Sequence, residues 1–93
     1  AQTLGNLGLT VERQGDHALA RSLFEQSLAM HRELGYRAGI AGGLKNMGKA
    51  ACNQGDIAAA RSLYSESLTL WGELGDKYNF AIVLEHFAAL ALI

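Results

Sequence analysis

With 93 residues, 49% of them hydrophobic and 18% charged, and a formal net charge of -1, the chain has apolar material for one small domain. It has too little basic charge for a nucleic-acid surface. The single Cys52 excludes an internal disulfide framework and fits a reducing compartment, so a cytoplasmic setting is expected. The chain has eleven glycines and no proline, so the ends of its secondary-structure elements must be written largely in glycine.

The opening AQTLGNLGLT lacks the basic leader and unbroken apolar stretch of a signal peptide. A first residue other than Met and a last stretch FAALALI that stops inside an apolar run suggest a segment of a longer protein. A first helix is predicted over 2–14, with Leu4, Leu7, Gly8 and Val11 at helical spacing. Gly15 stops it in a left-handed conformation, and Asp16 caps the next helix, predicted over 16–34. Ala20, Leu23, Phe24, Ser27, Leu28, His31 and Leu34 make the packing face of that second helix. Gly35 ends it and Tyr36 is a poor cap for the third helix, 37–54, whose stripe is Ile40, Leu44, Met47, Gly48 and Ala51.

From there the phrases return. QGDHALARSLFEQSL at 14–28 recurs as QGDIAAARSLYSESL at 54–68, and residues 1–40 align with 41–80 without a gap. Gly55 and Asp56 repeat the stop and cap, and the fourth helix, 56–74, repeats the face as Ala60, Leu63, Tyr64, Ser67, Leu68, Trp71 and Leu74. Gly75 and Asp76 lead into a fifth helix over 77–92, with Phe80, Leu84, Phe87, Ala88 and Ala91. Two units, 1–40 and 41–80, and a partial third, 81–93, therefore form a single all-α domain of antiparallel hairpins.

The spacings Leu4-x2-Leu7-Gly8-x2-Val11, Gly15-Asp16 and Ala20-x3-Phe24 resemble the tetratricopeptide repeat, and Leu44-x2-Met47-Gly48-x2-Ala51, Gly55-Asp56 and Ala60-x3-Tyr64 resemble it again. The small residues let paired helices approach while the aromatic fills the space beside them. The unit of 40 departs from the usual 34 and lacks the terminating proline. The six extra residues add about 9 Å of helix. Units of this longer kind are similar to those of large bacterial regulators joining an ATPase module to a DNA-binding domain, and of spindle-orientation adaptors. The resemblance implies five helices stacked as a right-handed superhelix, acting as a protein-interaction scaffold within a larger signalling or transcriptional regulator.

In such a superhelix the first helices of the hairpins line a concave groove. By helical phase its residues are Gln2, Gly5, Leu9 and Glu12, then Gly42, Lys45, Lys49 and Cys52, then Ile82, Glu85, Ala89 and Leu92. Lys45 and Lys49, one turn apart, suit an acidic peptide or a terminal carboxylate; the alternative is a solvated face with Lys45 near Glu85. Some family members grip a terminal carboxylate with Lys, Asn and Arg at positions that are here Gly5, Leu9, Lys49, Glu85 and Ala89, so that clamp is not expected. Asn6 and Asn46 lie beside the packing stripe and are expected to hydrogen-bond between neighbouring helices, with His86 in their place in the third copy.

His17, His31, His86 and Cys52 show neither metal-ligand spacing nor a third group to orient a base. No catalytic residue, metal site or cofactor is expected. The last helix, FAIVLEHFAALALI, is apolar nearly all round yet too short to span a bilayer. Ile82, Val83, Leu90, Leu92 and Ile93 are expected to form an exposed patch that associates two copies through residues 80–93. The second expectation for function is thus self-association with an empty groove.

Overall fold

The computed structural model describes residues 2–92, and the side chains of all but Gln2 and Thr3 among them. Five helices follow in order, α1 (Gln2–Arg13), α2 (His17–Leu34), α3 (Arg37–Asn53), α4 (Ile57–Leu74) and α5 (Lys77–Ala89), and a 3-10 turn, Leu90–Leu92, closes the chain. The architecture is all-α, as the helical spacings predict, and no strand occurs among the described residues. Each helix packs against the next and α1 also meets α3, giving a slab of 36 × 33 × 18 Å. Its thickness is about two helix diameters, with α1, α3 and α5 forming one layer and α2 and α4 the other.

The turns have the chemistry expected of them. Asp16, Asp56 and Asp76 accept the backbone N–H of Leu19, Ala59 and Asn79 through Oδ1 at 3.1, 3.1 and 3.0 Å. Tyr36 holds the same position before α3 and makes no such bond. At the other ends Gly35 and Gly75 adopt φ of 67° and 72°, a left-handed turn that any Cβ would strain, and so stop α2 and α4.

The repeated small-and-aromatic pairs lock each hairpin. Phe24 of α2 lies against Gly8, and Tyr64 of α4 against Gly48. Ser67, fully buried, donates to the Ala41 carbonyl at 2.8 Å and ties α4 to α3. Val11, Ala20, Leu23, Phe24 and Ala50 form one core under α1, α2 and α3. Ala41, Ala60, Tyr64, Trp71, Val83 and Leu90 form the other under α3, α4 and α5.

The structure corrects several placements. Val83 and Leu90, expected on an exposed patch, are core residues at 0% and 4% exposure. Because α5 is apolar nearly all round, helical phase could not select its buried side; packing against α3 and α4 does. The tighter 3-10 turn, which replaces the last turn expected of the fifth helix, then swings Leu90 inward. Leu7 and Leu84, expected on packing stripes, are 48% and 46% exposed. The equivalent Met47 is covered because α2 stands beside it, and the equivalent Leu44 because α4 follows α3; among the described residues α1 and α5 have no such neighbour. Leu34 and Leu74 close their helices in solvent.

Candidate functional site

The inner layer brings polar side chains together around α3. A cleft of about 440 Å³ is lined there by Gly5, Asn6, Gly42, Lys45 and Asn46, with Asp76 and Asn79 from the start of α5. It exists because glycine stands where a larger side chain would bridge the inner helices: a Cβ at Gly42 would meet nothing within 4 Å. Asn6 is exposed and Asn46 half-buried, and neither amide makes a hydrogen bond among the described residues. The expected bonds between neighbouring helices are therefore not formed; both amides face the cleft instead.

Of the predicted groove residues, Lys45 and Lys49 are half-buried on α3, one turn apart. Burial and the neighbouring Lys49 charge both push the Lys45 ammonium below its ordinary value. No carboxylate pairs with either lysine among the described residues, and Glu85, exposed on α5, forms no ion pair with Lys45. Cys52 and Leu9 are half-buried and packed against the two cores. Glu12 is a correction: it is 6% exposed, with Oε1 2.8 Å from Nδ1 of His17. The tight turn after α1 folds His17 back over Glu12, a relation that the phase of α1 alone does not contain. The side chain of Gln2 lies outside the described part.

The sequence did not single out His86 for the groove. It occupies the repeat position of Asn6 and Asn46, and that register was the signal that could have found it. Its ring stacks on Tyr64 with centroids 5.8 Å apart and planes 17° apart. Burial, then the Lys49 and Lys45 charges, hold its pKa below the ordinary 6.5, against the opposing pull of Glu85. Burial, and next the nearby Cys52, push the Tyr64 phenol up to about 12.

Of the residues expected to associate two copies, Ile82 is half-buried, Val83 and Leu90 are in the core, Leu92 is 90% exposed, and Ile93 lies outside the described residues. The exposed stripe of α5 is instead Ala81, Leu84, Ala88 and Leu92. Among the described residues no helix is long and apolar enough to cross a membrane, and no group of three or more His, Cys, Asp or Glu side chains could hold a metal ion.

Residues 1–34, which span α1 and α2, match the family model described as tetratricopeptide repeat. Comparison with curated proteins gives no match, and comparison with solved structures gives none. Helices α3 and α4 repeat the hairpin of the matched segment in the same register, down to the aromatic on the glycine. A family of this kind supplies protein-interaction modules. By the match over residues 1–34 and its repetition in α3 and α4, the chain is similar to the tetratricopeptide repeat family.

Proposed function

We propose that the inner groove binds a peptide or partner helix rich in carboxylates, held through Lys45 and Lys49. The observation that carries this reading is the pair itself: two half-buried ammonium groups one turn apart, without a carboxylate partner among the described residues. Like charges at this spacing repel, and partial burial adds to that cost. An anion seated between them removes both penalties. Lys45 also borders the cleft in which the Asn6 and Asn46 amides can pair with peptide backbone groups. On the resemblance of its 40-residue unit, the module serves a larger signalling or transcriptional regulator.

Fluorescence anisotropy with a labelled hexa-aspartate peptide tests the site. Binding should weaken steeply with salt and disappear in the Lys45→Glu, Lys49→Glu variant, with helicity by circular dichroism unchanged. Equal binding by that folded variant would end this reading.

A second reading, self-association, has its own support in α5. Ala81, Leu84 and Ala88 stand at the register of Ala41, Leu44 and Gly48, the stripe by which α3 receives α4, and all three are exposed. The occupant we infer is α5 of a second copy, in a two-fold pair. Sedimentation equilibrium over a concentration series tests it: a dimer supports the pair, and a monomer at every concentration removes it.

A further inference from the structure

We propose that His86 is the third cation of the Lys45–Lys49 site and that capture of an acidic peptide there is coupled to proton uptake by its imidazole. The inference rests on the reading of Lys45 and Lys49 as an anion site, and deepens it. His86 is held from two sides. Tyr64 packs on Gly48, the residue next to Lys49, and the His86 ring stacks on Tyr64. That chain of contacts places the imidazole of α5 within the fields of both lysines of α3.

The groups facing His86 from each element are few. From α3 come Lys45 and Lys49, and Cys52 beside Tyr64; from α4 comes the Tyr64 phenol; on α5 itself there is Glu85. Burial holds the phenol in its neutral form at neutral pH. The two ammonium groups and partial burial therefore oppose the imidazolium, and among the described residues Glu85 is the acidic group acting against them. A peptide carboxylate seated between the lysines cancels their repulsion and adds its own attraction, so the imidazole gains affinity for a proton when the peptide binds. The same coupling read in reverse tightens binding as pH falls through the interval between the free and bound pKa values, by about tenfold per pH unit at most.

Calorimetric titration of the protein with hexa-aspartate at pH 6.5, in MES and in Bis-Tris, measures the protons exchanged, because the two buffers differ in ionisation heat. The expected result is net uptake of a fraction of a proton by the parent chain and none by His86→Gln, with affinity of the parent falling between pH 6 and pH 8 and that of the variant flat. Circular dichroism at both pH values establishes that each protein is folded. Binding that is abolished by Lys45→Glu, Lys49→Glu but proceeds without proton uptake, or with equal uptake in His86→Gln, overturns the role of His86 and leaves the lysine site standing. Binding indifferent to the lysine changes overturns both.

Discussion

Tyr64 lies so close over Gly48 that a Cβ at residue 48 would stand 2.7 Å from Tyr64 Cε1, and Phe24 bears the same relation to Gly8. Replacing a helical glycine by alanine ordinarily gains up to about 1 kcal/mol. Here the gain meets an overpacking cost of about 1–3 kcal/mol, because the ring is buried and has nowhere to go. Gly48→Ala should therefore lower stability, whereas Gly42→Ala, in open space, should raise it. Urea unfolding of the two variants, compared at equal m-value, checks the opposite signs.

Asp56 and Tyr36 hold equivalent positions before α4 and α3, with nearly the same backbone conformation, and Asp56 alone caps its helix. Asp56→Ala should cost about 1 kcal/mol. Tyr36→Asp gains a cap of similar size but gives up the edge contact of Tyr36 with His31, centroids 5.4 Å apart, so its net gain should be the smaller effect. Thermal melts of both variants test the asymmetry.

His86 and Asp76 both lower stability as pH falls, each in its own window. The folded pKa of His86 is depressed, so the unfolded chain binds more protons between that value and the ordinary 6.5, and stability declines as pH drops through this window. His86→Gln should flatten that part of the profile. Asp76, whose carboxyl is held low by the backbone and side-chain N–H groups of Asn79, contributes stability above the usual carboxylate range and loses it as pH falls through its folded pKa. In Asp76→Asn the acid limb should be shallower. Midpoints of urea unfolding from pH 3 to pH 8 separate the two.

Leu84 and Leu92 are exposed while Val83 is fully buried. If α5 pairs with α5 of a second copy, Leu84→Glu, Leu92→Glu should shift the sedimentation profile toward monomer without loss of helicity. Val83→Glu should unfold the second core instead. A dimer unaffected by the first change would place the contact elsewhere on the molecule.

Much of the fold was legible because the decisive residues act locally. A glycine at left-handed φ and an aspartate one residue later mark a helix boundary wherever they occur, and the repetition of Gly15-Asp16 at Gly55-Asp56 marks it twice. The candidate site was legible at Lys45 and Lys49, where one helix supplies both groups. It was less so at Glu12, Asn46 and His86, whose surroundings are set by other helices. Periodicity gives the angle of a side chain about its own axis and not the identity of the neighbour on each side. On α5, where nearly every direction is apolar, even the angle was undetermined, and Val83 and Leu90 turned inward.

The two seams that α3 makes with the first hairpin also differ mechanically. Helix α2 is packed extensively against α3, whereas α1 meets α3 only briefly, and Gly42 leaves open space on the inner side. Splaying or narrowing the inner edge between α1 and α3 thus disturbs less packing than parting α2 from α3 would. The inner edge is the softer seam, and whatever fills it will set the curvature of the stack as well as occupy it.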